Sequence, residues 1–286
     1  MAVSAFARRT LKVRHVRSAV SVFLTALCAG GAAAALLLIL GYVVREGITS
    51  VNLPFLTQVP HPIGISGGGV ANAILGTGIT VGIATVMATP IGVLTGVYLA
   101  MYGRGTVASS IRFLSDVLAG VPSIAIGLFA YAVLVAPFKH FSALSGSFAF
   151  AVLMLPVIIR TTEEAIRSVP ITIREGALAL GLPIYATTVR VVIPAARAAI
   201  TTGLLLAIAR VTGETAPLLF TAFGSQFWEL NPGNPMAQLP LQIFNYAISP
   251  YPQWHQQAWG GALILIVVVL VLNILARAAL RSRTSR

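Results

Sequence analysis

Polar positions in this chain are gathered into short clusters, and the stretches between them are apolar almost without interruption. Apolar runs fall at 19–44, 70–101, 113–136, 143–160, 197–223 and 258–280, each close to or above the roughly 20 residues a helix needs to cross a bilayer. A membrane β-barrel would need short segments of alternating polarity. These runs are continuous and rich in Ala, Leu and Gly, so the pattern predicts an all-α membrane protein with six transmembrane helices. Residues 1–18 then form a tail, 19–69 the first span and an external loop, 70–280 the main transmembrane domain and 281–286 a second tail.

Composition agrees, with 57% hydrophobic and only 9% charged residues, which excludes a soluble globular domain. The single cysteine, Cys28, excludes an internal disulfide framework and a cysteine metal cluster. The four histidines, His15, His61, His140 and His255, are scattered over tails and loops. A net charge of +12 would suit nucleic acid only if the basic residues formed one stripe, and here they sit in separate clusters. The N-terminal basic cluster followed by an apolar run has the charge order of a signal peptide. The run is too long for one, and its small residues lie inside it, so an uncleaved first span is expected.

The basic clusters fix an orientation. Lys and Arg concentrate in the N-terminal tail (Arg8 to Arg17), the second loop (Arg104, Arg112), the fourth loop (Arg160 to Arg197) and the C-terminal end (Arg277 to Arg286). Only Arg45 and Lys139 fall in the opposite loops, and Arg210 lies within a span. Positive-inside bias puts both termini and the fourth loop in the cytoplasm. Trp228, Trp254 and Trp259 then lie at or beyond the outer boundary, where amphipathic rings are enriched. Within the long outer loop 224–257, "MAQLPLQIFNYAI" is apolar enough to dip back as a short helix, either as a packed cap or as a docking surface.

The glycine-rich "GISGGGVANAILGTG" at 64–78 lacks the Gly-Lys-Ser/Thr ending of a phosphate-binding P-loop. It reads as an external loop followed by close helix packing through small residues. No internal repeat is visible, which argues against a self-contained secondary carrier and for a second subunit completing any pathway. In the fourth loop, Thr161 with Glu164 and Thr172 with Glu175 have capping-box spacing, while Gly181 supplies a helix stop and Pro183 a restart. An ordered cytoplasmic helix pair is expected there.

"EGALALGLPIYATTVRVVIP" at 175–194 resembles the EAA loop of ABC-importer permeases, with Glu175, Ala177, Gly181 and Pro194 at the family spacings. Gly176, Val191 and Ile193 depart from it conservatively. With "SDVLAGVPSIAIGLFAY" (115–131), "IARVTGETAPLLFTAFGSQFW" (208–228) and "WGGALILIVVVLVLNILAR" (259–277), the chain is similar to the PstA-type phosphate-uptake permeases over nearly everything after residue 70. The resemblance implies a type I, MetI-like importer permease of a prokaryotic plasma membrane, without cofactor and non-catalytic itself. It implies a heterodimer with a PstC-type sister permease, a PstB-type ATPase dimer on the cytoplasmic side and a PstS-type phosphate-binding protein outside. Glu175, Gly176, Ala177, Gly181 and Pro194 would serve ATPase coupling, within a docking segment spanning 175–185.

Arg210 and Glu214 put two charges into a greasy segment. Counted within 197–223, Arg210 falls at the midplane, where arginine costs at least about 2.5–3.5 kcal/mol and should face a partner or a wet cavity. Glu214, four residues on, shares its helical face. One reading is mutual neutralisation. The other is an anion pathway, in which the guanidinium fork meets phosphate oxygens while Glu214 holds and tempers it. Thr212 and Thr215 would add hydroxyl donors, and Gly213 and Pro217 would permit a bend. Asp116, four residues after Arg112, is expected to pair with it. Transport of another oxyanion, an ATP-independent carrier and a non-transporting scaffold stay open as alternatives.

Overall fold

A computed structural model describes residues 2–62, 65 and 67–281. Its elements, in chain order, are α1 (Ala2–Gly47), α2 (Leu53–Thr57), α3 (Ala71–Met101), α4 (Gly105–Gly120), α5 (Ser123–Ala130), a π turn at Tyr131–Val135 and α6 (Ala136–Phe138). Then come α7 (Ala143–Arg167), α8 (Ile171–Ala179), α9 (Ile184–Thr187), a second π turn at Thr188–Val192, α10 (Ile193–Thr212), α11 (Ala216–Thr221), α12 (Leu239–Ala247) and α13 (Pro252–Arg281). Among the described residues the only β feature is an isolated bridge between Phe223 and Met236.

Among the described residues five helical stretches are long and apolar enough to cross a membrane, and a bent pair supplies a sixth crossing if counted as one span. The expected third span, 113–136, is therefore corrected to two helices. Val121 takes an extended backbone (φ −68°, ψ 131°), the conformation that Pro122 favours in the residue before it, and α4 and the helix beginning at Ser123 diverge by 103°. The fourth span runs on past 160 to Arg167. The fifth starts earlier than expected and is continuous over Ile184–Thr212, then breaks short of 223. Pro194 explains the π turn inside it. Lacking an N–H, it cannot satisfy the carbonyl four residues back, and the wider turn through Val192 absorbs the mismatch. Residues 2–18, expected as a tail, continue α1 as helix. Most of the C-terminal tail lies outside the described residues.

The centre of the molecule is α3 against α7. Ala84, Ala88, Gly92 and Gly96 recur every fourth residue along one side of α3 and are all buried. Small side chains let the two backbones approach, so Ile158 and Thr162 of α7 fill the space over Gly92 and Gly96. Phe150, Met154 and Leu218 complete the surrounding core. In contrast, the apolar window of α1 is uncovered along its length. It is joined to the rest at its end, where Gly47 sits under the Trp259 carbonyl and Tyr42 meets the Trp259 ring edge-on at 5.1 Å.

The outer loop does fold back as α12, and it packs as a cap. Leu239, Leu241, Gln242 and Tyr246 are buried, and Leu239 N–H donates to Thr77 Oγ1 at 2.8 Å. Most of the described glycines of the glycine-rich segment are held by their neighbours. Gly67 and Gly68 adopt positive φ, Gly69 N–H donates to Val59 O, and Gly76 lies against the Ala237 carbonyl with no room for a Cβ. Gly78 and Gly82, by comparison, face open space. Glu229 organises the loop ahead of the cap. Its carboxylate accepts from Asn231 N–H and Asn234 Nδ2, each at 2.8 Å, and these bonds hold its pKa below the usual carboxylate range.

Candidate functional site

Arg210 stands in the last turn of α10, and the helix stops two residues later. Gly213 N–H turns back to Arg210 O and Glu214 N–H to Val211 O, after which the chain restarts as α11 from Ala216, with Pro217 in its first turn. Because α11 carries on the apolar run, the break lies within that run and not at its edge. Irregular backbone in a membrane is tolerated where it is buried in protein or lines a wet cavity. The bend anticipated at Gly213 and Pro217 is present, and it is a full interruption.

This interruption separates the two charges. Arg210 is exposed and Glu214 half-buried, and no ion pair joins them among the described residues. The expected pairing is corrected for a simple reason: residues four apart face one another only while the helix continues, and here it ends between them. Nor does Arg210 lie at the centre of a continuous helix. Thr212 is buried, and its hydroxyl donates to Ile208 O at 2.7 Å, so its proton is committed to the helix and not offered to a solute. Thr215 is half-buried at the break. Two neighbouring cavities, of about 620 and 510 Å³, are lined respectively by Gly213 with α13 and by Thr212 with α3 and α13, and neither includes Arg210. The guanidinium opens onto the outside of this single chain.

At the opposite end of α10, α8 and α9 form the expected helix pair. Gly181 (φ +85°) ends α8, with Gly181 N–H on Leu178 O and Leu182 N–H on Ala177 O, and Pro183 precedes α9. Ala177 is buried against the bundle, whereas Glu175, Gly176 and Pro194 are exposed. Leu180 is 86% exposed and Tyr185 70%. Neither capping box forms. Thr161 lies inside continuous α7 and donates to Val157 O, and α8 begins after Pro170 with no side-chain cap, leaving Thr172 within its first turn. Helix continuity through α7 removes the free N–H groups that Thr161 would have served.

A polar cluster at the α8 end of α7 is the feature the sequence reading missed. Glu163, nearly buried, accepts from Arg112 Nε at 2.8 Å and forms an ion pair with Arg167 Nη2 at 2.7 Å. Asp116 binds Arg160 Nη1 at 2.6 Å, so it is ion-paired as expected but with α7 instead of Arg112. The spacing of Glu163 and Arg167 on one helix was the available signal; the partner from α4 was not visible in local sequence.

Residues 92–284 match the family of the binding-protein-dependent transport system inner membrane component. The chain belongs to that family. The permease is 46% identical over 243 residues to the phosphate transport system permease protein PstA of Yersinia pestis, which covers 85% of this chain and 82% of that one. It is 44% identical over 213 residues to phosphate transport system permease protein PstA 1 of Mycobacterium tuberculosis (strain CDC 1551 / Oshkosh), over 73% of this chain and 69% of that one. Its fold is similar to a chain of the MetNI methionine ABC transporter, with TM-score 0.62 at 14% identity, covering 74% of the permease and 95% of that chain. The all-α membrane bundle expected from the apolar runs, and the importer-permease architecture implied by the resemblance, are thus the fold of this multi-pass membrane protein.

Proposed function

We propose that the permease forms half of a pathway that moves inorganic phosphate inward, driven by a separate ATPase. The observation that carries this reading is Arg210, an arginine kept at a backbone break inside an apolar run without an acidic partner among the described residues. An arginine fork matches phosphate oxygens bidentately and keeps its charge at every physiological pH. A transit site must also release its ion. Glu214, across the break, lowers the local positive potential without occupying the guanidinium.

The face on which Arg210 opens belongs against a PstC-type sister permease, so that the two chains enclose the solute. The elbow at 175–185, with Glu175, Gly176 and Ala177 on one arm and Gly181 at its turn, receives a PstB-type ATPase dimer, while Pro194 sets the second π turn behind it. Both termini and this elbow are then cytoplasmic, and the α12 side faces a PstS-type phosphate-binding protein. The names of the PstA relatives support phosphate over other oxyanions. Purified complex in proteoliposomes, loaded with ATP on the elbow side, should accumulate radiolabelled phosphate from the other side, and ATP-independent accumulation would overturn the reading.

A further inference from the structure

The ion-pair cluster at the end of α7 joins elements that the pathway and the elbow otherwise leave separate. Arg112 of α4 uses Nε on Glu163 and Nη2 on Leu99 O at 2.9 Å, one of the last-turn carbonyls of α3. Arg167 closes on the same Glu163 oxygen from one turn further along α7. The link from α7 to α8 is only Ser168–Pro170, and it is hydrogen-bonded rather than loose: Ser168 N–H donates to Glu164 O, Val169 N–H to Ile166 O and Ile173 N–H to Pro170 O. A load on the elbow therefore reaches the turn of α7 that carries Glu163 and Arg167.

From there the path continues through α4. Beyond its bend lies α5, where Gly127 packs so closely on Pro217 of α11 that an added Cβ would lie 2.6 Å from Pro217 Cα. Pro217 lies in the first turn of the helix that follows the Arg210 break. The cluster also borders a cavity of about 200 Å³ among Ser115, Asp116, Ile159 and Arg160, which leaves α4 room to shift relative to α7. Buried ion pairs rarely stabilise better than well-packed apolar groups, so stability alone is a weak reason for a nearly buried carboxylate shared by two arginines.

We infer that Glu163 is a positioning residue for transport: through Arg112 it couples the elbow to α4, and through α5 and α11 to the break beside Arg210. The inference rests on the ATP-driven reading above. Its measurement is the amount of phosphate moved per ATP hydrolysed by the reconstituted complex, compared between wild type and variants. Failure of wild type to transport would sink the functional reading, whereas the variant ratios decide this one.

In Glu163→Gln the ratio should fall roughly tenfold, the size of an ordinary coupling factor, with subunit assembly intact and Glu163→Asp partly restoring it. The more exposed Asp116→Asn, which removes one α4–α7 link without stranding a buried charge, should lower the ratio in the same direction. If uptake and hydrolysis fall in parallel, or both variants keep the wild-type ratio, Glu163 is structural only. Should Glu163→Gln fail to assemble, Asp116→Asn decides alone, since an unchanged ratio there overturns the inference.

Discussion

Gly96 of α3 lies directly beneath Thr162 of α7, and a Cβ placed on Gly96 would fall 2.6 Å from Thr162 Cβ and 2.7 Å from the Ile159 carbonyl oxygen. A flexible side chain could move aside, but a helical carbonyl cannot. Gly96→Leu should therefore push the central helix pair apart, at a cost of about 1–3 kcal/mol or more. Reduced thermal stability of the detergent-solubilised chain checks this, with Gly78→Leu as the control, because Gly78 faces open space.

Arg210 gives the most direct test of the pathway. Arg210→Ala should lower phosphate uptake roughly tenfold or more, since a hydrogen bond to a charged group contributes about 1.5–3 kcal/mol. Arg210→Lys keeps the charge but loses the fork, so it should retain intermediate uptake. Arg210→Glu should abolish it. The exposed position means that none of these changes disturbs the chain's own packing, and wild-type uptake by a normally assembled Arg210→Ala complex would refute an anion role.

The elbow offers a separate prediction. Leu180 and Tyr185 present apolar surface outward from the turn around Gly181, while Ala177 anchors α8 inward. A tyrosine that is a hot spot at an interface centre is worth about 2 kcal/mol or more, and an aspartate at position 180 would bury an unpaired charge in the contact. Leu180→Asp and Tyr185→Ala should each weaken association with the ATPase roughly tenfold or more, measured by co-purification at graded ATPase concentrations. The isolated permease should keep its helix content.

Helix identity in this chain was legible because apolar length and basic clusters are one-dimensional signals. Some helix ends were legible too, since Gly181 marks the stop of α8 and Gly213 with Pro217 the bend after α10, but others were not. Thr161 and Glu164 have the spacing of a cap, yet α7 runs through them because Ile158, Thr162 and Ile166 are all needed against neighbouring helices. Pro122 interrupts an apolar run whose hydropathy does not register it, and the bend expected at Gly213 proves to be a full break that undoes the Arg210–Glu214 pairing four-residue spacing implied. The Arg112–Glu163 pair spans 51 positions in sequence. Only packing of α4 on α7 brings it together, and local pattern carries no trace of that contact.

Tyr246 makes the α12 cap sensitive to high pH. Burial disfavours its phenolate and pushes its pKa up to about 12, with the Gln242 amide, which donates to the hydroxyl at 3.1 Å, acting in the opposite direction. The ring also stacks on Trp254 at 4.8 Å, so the neutral phenol is part of the packing of the cap. An unfolded tyrosine ionises near its ordinary value of about 10. Since the folded value is the higher one, the contribution of Tyr246 is complete below about pH 10 and declines as pH rises towards about 12. Tyr246→Phe removes the ionisation and keeps the ring. Thermal unfolding followed by Trp fluorescence between about pH 9 and pH 12 should show wild type losing stability faster than Tyr246→Phe across that window, and parallel curves would mean that the phenol ionises no differently in the folded cap than in the unfolded chain.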